Sequence, residues 1–356
     1  MNKFLNEKMK NIEPYTPNDG EFLIRLDANE SFYPLGAELE GKVKECIGSI
    51  EFNRYPDPLA QKLCNSFSEA YAVPSKNVVA GNGSDELISL IISGFTEKND
   101  KILVTTPDFS MYSFYAKAYF TDCVVLDKTA FLNIDLDALY KKVEEEKPRI
   151  VIFSNPCNPT GQGVKKENLK TFVEKCNCLV VLDEAYMDFW DESESFLNEI
   201  ENHENLIVLR TLSKAYGLAA LRLGFAIGNA ELISSLKAYK SPYNVNAFSQ
   251  AVGSVLLNEK EVYNKRLQKI KENKTALEKE VKKLSDSKTF CVFDTVTNFV
   301  FLKFYDECLA KEIFLKLKEE KIAVRFFGGG YFRITAGSER ENDIFLKHFA
   351  SLLRKG

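Results

Sequence analysis

Four short stretches of this sequence place reactive side chains where chemistry could use them. The first, LRTLSKAYGLAALRLGF (Leu209–Phe225), sets Lys214 directly behind Ser213 and eight residues before Arg222, with small residues through the gap. A lysine at the head of a small-residue helix in an apolar setting gives up its proton more easily and becomes a nucleophile. The alternative is an ordinary surface lysine. The second stretch, VVLDEAYMDF, ends an apolar run in Asp183, Glu184 and Tyr186. A carboxylate at the end of a buried strand is costly unless a cation or a strong donor meets it. Asp183 therefore calls for a partner, either a neighbouring Arg or Lys or the ring N–H⁺ of a bound group. The third, SNPCNPTG (Ser154–Gly161), presents Asn158 in a proline-bounded turn, which turn chemistry alone would also explain. The fourth, GNGSDE (Gly81–Glu86), puts two glycines and Ser84 at a helix start. Free N–H groups and the helix dipole make such a start an anion site, whereas Ser84 acting as N-cap would simply close the helix. No GK[ST] follows, so this is not a P-loop.

One chemistry uses all four. A lysine forms a Schiff base with an aldehyde. A carboxylate keeps a pyridine nitrogen protonated and deepens its electron sink. An Asn and a Tyr hold a ring hydroxyl, while a helix N-terminus, a serine and an arginine hold a phosphate. These are the requirements of pyridoxal 5'-phosphate.

The elements that must position these groups are legible between about residues 75 and 230. NVVAGNGSDELISLIISGF and KILVTTPDFSMYSFYAKAYF each run from strand through turn to helix, and PRIVIFSNP, CLVVLDEAY, NLIVLRTLSK and LGFAIG supply further apolar strands. Apolar strands without alternation are buried on both faces, which predicts a parallel or mixed sheet covered by helices. Such sheets bind ligands at the carboxyl ends of their strands, where the four polar clusters fall. After Pro242 the pattern changes to a long charged helical stretch (about 247–285), a strand in CVFDTVTNFVFLKF, a helix near 306–320, two short strands near 322–335 and a final helix. The expected division is 1–45 as an arm and strand joining the smaller unit, 46–245 as a large α/β domain, and 246–356 as a small α/β domain with a long connecting helix.

Composition narrows the class. The chain has 356 residues, a hydrophobic fraction of 45%, a charged fraction of 28% and a net charge of −4. No global field draws it to nucleic acid or an anionic membrane, and the run NKRLQKIKENK alternates with acids as a solvated helix face does. No signal peptide or spanning segment is expected. Eight scattered cysteines and two histidines, without CxxC or HxxxH pairing, predict no metal site and a reducing cytoplasmic setting.

The sequence also resembles the fold-type-I pyridoxal-phosphate aminotransferases, and among them the histidinol-phosphate branch, over nearly its whole length. The resemblance rests on LDANESFYP, RYPDP, GNGSDELI, TPDFSMY, NPCNPTG, VLDEAYMDF, TLSKAYGLAALRLGFAIG, SPYNVNAFSQ and FRITAGSEREN. It implies a mostly parallel seven-stranded sheet in the large domain and a homodimer with shared active sites. Lys214 would be the Schiff-base lysine and the proton carrier, Asp183 the partner of the pyridine nitrogen, and Asn158 and Tyr186 the partners of the ring hydroxyl. Gly83, Ser84, Asp85, Thr211, Ser213 and Arg222 would surround the phosphate. Phe109 would stack on the ring, where the family often has tyrosine, and Tyr55 would reach the phosphate of the neighbouring subunit. Arg333 and Arg325 would take substrate anions, with Tyr15 and Asn29 on the covering arm. The implied reaction exchanges the amino group of histidinol phosphate with 2-oxoglutarate, giving glutamate. One departure is FFGGGYF between Arg325 and Arg333, a short, glycine-rich segment that tends to be longer in relatives, which leaves an aromatic amino-acid substrate open.

Other classes fit less. A threonine-phosphate decarboxylase of this fold would carry His-Gly-Gly in its arm, where this chain reads PNDGEF. A regulator would need an attached DNA-binding module, and a dinucleotide enzyme would show GxGxxG after its first strand.

Overall fold

The computed structural model describes residues 4–5, 18, 20–286 and 288–354. The chain opens with β1 (Ile24–Leu26), α1 (Ala37–Gly48) and α2 (Gln61–Tyr71). Strands and helices then alternate as β2 (Val78–Asn82), α3 (Gly83–Phe95), β3 (Lys101–Thr106), α4 (Met111–Ala118), β4 (Asp122–Asp127), α5 (Leu136–Glu146), β5 (Ile150–Ser154), α6 (Lys166–Lys175) and β6 (Leu179–Asp183). β7 (Leu206–Thr211), β8 (Leu223–Gly228) and α7 (Ala230–Tyr239) follow. The last third holds α8 (Ala247–Leu257), α9 (Lys260–Leu284), β9 (Phe290–Phe293), β10 (Phe299–Phe304), α10 (Glu307–Glu319), β11 (Ile322–Phe326), β12 (Tyr331–Thr335) and α11 (Glu339–Leu353).

Seven strands form one sheet in the order β2-β8-β7-β6-β5-β3-β4. Strand β8 runs antiparallel to both neighbours, and the remaining adjacent pairs are parallel. This is the mostly parallel sheet that the family resemblance implies. Successive β6 residues alternate between two cores, Val180 and Leu182 in one and Val181 in the other, and all three are fully buried. Burial on both faces is what selects a continuous apolar run over an alternating one.

A second sheet has the order β1-β11-β12-β10-β9. Its β1 pairs parallel to β11, with Ile24 opposite Ile322, so the first strand of the chain edges a sheet built from its last third. Phe290, Phe304, Phe332, Phe345 and Phe349 dominate the core beneath it.

Local structure departs from the sequence expectation at three places. CVFDTVTNFVFLKF forms two strands, β9 and β10, paired antiparallel across a turn at 294–298. The stretch 247–285 is two helices, because Asn258 and Glu259 break it. Of these, α8 is apolar and sends Val252, Leu256 and Leu257 into the large-sheet core. Residue 45 falls inside α1, whose Leu39 and Val43 join that same core.

Candidate active site

The carboxyl ends of β5, β6 and β7 and the start of α3 converge on a cleft. Its lining is Ser84, Asp85, Phe109, Ser154, Asn158, Asp183, Ala185, Tyr186, Thr211, Ser213, Lys214 and Arg222. All but Ser154 and Ala185 are residues that the sequence singled out.

One end of the cleft suits an anion. Helix α3 begins at Gly83, and Asn82 at its cap makes no side-chain capping bond. Ser84 lies inside the first turn, so the reading of it as a closing cap fails. The helix start abuts β8 so tightly that a Cβ on Gly224 would lie 2.4 Å from the Ser84 nitrogen. Gly83 has φ +82°, and a Cβ there would lie 2.7 Å from Arg222 Nη2. Both positions require glycine, and together they let Arg222 stand over the uncapped N–H groups. The Arg222 guanidinium is 3.6 Å from Asp85, with both side chains nearly half exposed. Burial pushes the Asp85 carboxyl up, and Arg222 and Lys214 pull it back. Thr211 Oγ1 donates to the Leu223 carbonyl at 3.1 Å and lies 3.0 Å from Ser213 Oγ, which fixes both hydroxyls on the cleft floor. Uncapped N–H groups, two hydroxyls and an arginine are donors of the kind an anion needs.

The other end suits a cation on a flat ring. Asp183, the last residue of β6, is buried. It accepts from the Tyr112 hydroxyl at 2.8 Å and from the Ala185 nitrogen at 3.1 Å. Among the described residues no Arg or Lys pairs with it, so the alternative of an internal counter-ion fails. Burial, which these two donors only partly offset, pushes the Asp183 carboxyl up to about 6. Phe109 walls the cleft and meets Tyr112 edge-on at 5.6 Å.

Lys214 stands between these ends. It lies on a turn between β7 and β8 and not at the head of a helix; only one 3-10 turn, Ala219–Leu221, follows it. Gly217 at φ +68° and the small residues around it make that tight turn possible. Lys214 Nζ donates to the Ala28 carbonyl at 3.2 Å and sits 5.9 Å from the centre of the Tyr186 ring.

Asn29 and Arg333, the latter on the second sheet, bond to residues of the cleft lining without lining it themselves, and Arg325 does not line it either. Asn29 is buried at φ 56° and donates to Tyr186 Oη at 2.7 Å, while Thr335 donates to its side-chain oxygen at 3.0 Å. Arg333 on β12 donates to Asn158 Oδ1 and, at 2.7 Å, to the Asp27 carbonyl. Its guanidinium lies 5.5 Å from the rings of both Phe299 and Phe327. Arg325 stands opposite Arg333 on β11, over the Phe327 ring at 5.8 Å. Tyr55 does not line the cleft; it is 81% exposed and stacks on Tyr243 at 4.7 Å. Tyr15 lies outside the described residues.

Sequence reasoning missed Ser154, Ala185 and Tyr112. Ser154 and Tyr112 fall within motifs already quoted, but a strand-end serine and a helix tyrosine carry no spacing that marks them. Only the fold puts Tyr112 against a residue 71 positions away.

Residues 26–349 match the family described as aminotransferase class I and II. Histidinol-phosphate aminotransferase of Clostridium kluyveri is 38% identical over 356 residues, covering 99% of each chain. The enzyme of that name from Clostridium novyi is 40% identical over 344 residues, 96% of this chain and 94% of that one. Among solved structures, histidinol-phosphate aminotransferase from Sinorhizobium meliloti in complex with pyridoxal-5'-phosphate superposes with a TM-score of 0.89 at 19% identity, covering 99% and 98%.

Proposed function

The chain belongs to the class I and II aminotransferases, and from that premise we propose that it moves the amino group of histidinol phosphate to 2-oxoglutarate, a step of histidine biosynthesis. The full-length relatives of that name support the substrate. The observation that carries the chemistry is the buried Asp183 carboxylate, met only by neutral donors, in the same cleft as the Lys214 amine.

The cofactor is pyridoxal 5'-phosphate, and the residues present fit it. When bound, it supplies an electron sink conjugated to the substrate Cα. Asp183 would hold the protonated ring nitrogen, which gives the carboxylate the cation it lacks. Asn158 and Tyr186 would hold the ring hydroxyl, and Phe109 would cover one ring face. The first turn of α3, with Thr211, Ser213 and Arg222, would hold the phosphate. Lys214 Nζ would anchor the cofactor and carry the proton from the substrate Cα.

Arg333 and Arg325 would take the substrate phosphate in one half-reaction and a carboxylate in the other, since the guanidinium fork suits both. Asn29 and Tyr15 would cover the substrate. A second substrate class, aromatic amino acids, is supported by the half-exposed Phe327 ring beside Arg333. Tyr55, exposed in its own subunit, would reach the phosphate of a second copy, making the working enzyme a homodimer. The setting proposed is the cytoplasm, in keeping with eight free cysteines. Among the described residues no helix is long and apolar enough to cross a membrane.

The test follows the visible spectrum of the purified protein as histidinol phosphate and then 2-oxoglutarate are added. Lys214→Ala should abolish both the holoenzyme band and turnover. We expect kcat/KM for histidinol phosphate at least ~10²-fold above that for phenylalanine, because arginines left without their anion are costly. Comparable efficiencies would move the assignment to a broad aromatic aminotransferase. Mixing Lys214→Ala with Tyr55→Phe chains should restore one intact site per heterodimer, and an active monomer in sedimentation would sink the shared-site reading.

A further inference from the structure

Behind the cleft wall lies a buried ion pair that the proposed reaction does not use. Lys128 follows the end of β4, and Asp108 lies two residues past the end of β3. Their side chains are 1% and 2% exposed, with Lys128 Nζ 3.3 Å from Asp108 Oδ2. The three ammonium protons have three acceptors: Asp108 Oδ2, the Pro107 carbonyl at 2.8 Å and Cys157 Sγ at 2.8 Å. Asp108 in turn accepts from Thr105 Oγ1 at 2.8 Å, from Ser154 Oγ, and from the Ser154 nitrogen at 3.4 Å. Ser154 Oγ accepts from the Asn158 nitrogen at 3.2 Å, and the Cys157 thiol donates to the Pro107 carbonyl at 3.6 Å.

The place of this cluster in the sheet is informative. Strand β3 has β4 on one side and β5 on the other. The chain leaves β3 toward β4, but leaves β5 in the opposite direction toward β6. Open α/β sheets take their ligands in the crevice where connections diverge in this way. Phe109 forms one lip of that crevice and Asn158 the other. The cluster draws Lys128 from the end of β4, Asp108 from the turn after β3, and Ser154 and Cys157 from the end of β5, so it ties both lips to a third strand.

Stability alone is a poor reason for such a pair. Desolvating two charges costs about as much as their attraction returns, and apolar residues of similar volume often do as well. What a hydrogen-bonded ionic cluster adds is direction. We propose that Lys128 and Asp108 are positioning residues that fix the gap between the Phe109 ring and the Asn158 amide, and with it the seat of a flat aromatic cofactor. The inference rests on the cofactor reading above.

The experiment compares full-length wild type with Lys128→Met, which keeps the length and removes the charge, and with Asp108→Asn. In the cofactor-free protein, amide hydrogen exchange over 105–110 and 154–158 should quicken in the variants while β6 and β7 stay protected. The cofactor dissociation constant should rise at least ~10-fold, and visible circular dichroism per bound cofactor should fall. Turnover per bound cofactor should drop ~10-fold or more with substrate KM within about twofold, as small misplacements cost. A lowered melting temperature with unchanged dissociation constant, dichroism and turnover per bound cofactor would make the pair merely structural and overturn the proposal. If Lys128→Met does not fold, Asp108→Asn decides on the same readouts. A wild type with no visible cofactor band overturns the cofactor reading and this inference together, whereas a normal wild type with unaltered variants overturns only this one.

Discussion

Asp183 and Glu184 are consecutive, both buried, and both at the carboxyl end of β6, yet they face regions built on opposite plans. Glu184 accepts from Ser195 Oγ at 2.7 Å and from the Phe196 nitrogen at 2.8 Å. It also lies 3.1 Å from Arg210 Nε, an ionic contact whose N–H does not point along it. Arg210 reaches Asp188 at 3.2 Å, and Tyr71 donates to Asp188 at 3.0 Å. Burial pushes the Glu184 carboxyl up and Arg210 pulls it back. That region is closed: every charge has its partner within the chain. Asp183, one residue earlier, has only neutral donors, and its region is left open toward the cleft. Two carboxylates that look alike in the sequence are therefore a group closed within the chain and a group facing the cleft, separated by which side of the strand each occupies.

Breaking the closed region should have the largest effect. Arg210→Met strands Glu184 and Asp188, and we expect a loss of about 3–5 kcal/mol, as for other buried pairs deprived of one partner. Urea unfolding at pH 7 measures it, and a loss below about 1 kcal/mol would show that the region is not held by its charges.

The open region makes its own prediction for the cofactor-free protein. The folded state holds the Asp183 proton up to about pH 6, against a usual value of 3.8. At about 1.4 kcal/mol per pH unit, that difference is worth roughly 3 kcal/mol. Because the folded pKa is the higher one, this stability is fully present below about pH 4 and is lost as pH rises through about 6. Asp183→Asn should lack that slope. Parallel stability curves for the two proteins between pH 4 and 7.5 would contradict the open reading.

In the holoenzyme the same substitution should spare the fold but cost at least ~10²-fold in turnover, by analogy with removal of one preorganised electrostatic group. Near-normal turnover would mean that another group meets the ring nitrogen. The smallest effect belongs to Tyr112→Phe. Losing one hydrogen bond to the carboxylate costs about 1.5 kcal/mol, and it should move the stability midpoint of the cofactor-free protein to higher pH. An unmoved midpoint would show that the hydroxyl does not act on Asp183.

What the sequence disclosed follows from where burial leaves a mark. The apolar runs of β5 and β6 announce a sheet covered on both faces, and the polar residues that end them announce a cleft. Strand β4 went unnoticed because an edge strand has no such run; in DCVVLD, Asp122, Val125 and Asp127 are exposed. The β9–β10 turn has neither glycine nor proline to punctuate it, so the two strands read as one. The side chains that could do chemistry were legible by type, while their supports were not. Asp108 and Ser154 lie inside quoted motifs but carry no spacing that marks them, Lys128 lies in none, and only folding makes the three neighbours. The same limit applied to Lys214, whose small neighbours permit a helix or a tight turn equally well until β8 is in place.

Asn29, which joins Tyr186 to Thr335, has a bearing on how the protein comes into being. The two ends of its bond to Thr335 are 306 residues apart. At ~5–20 residues per second of synthesis, roughly 15–60 s pass between the emergence of one and of the other. All seven strands of the large sheet have been made by Gly228, so Asp183 and Lys214 can be set in their turns well before that bond is possible. Strand β1 meanwhile waits with both edges unpaired until β11 leaves the ribosome. A chain released early would carry Lys214 without the arginine of β12, and the last strands translated decide whether Asn158 gains its partner and the Asn29 bonded to Tyr186 gains Thr335.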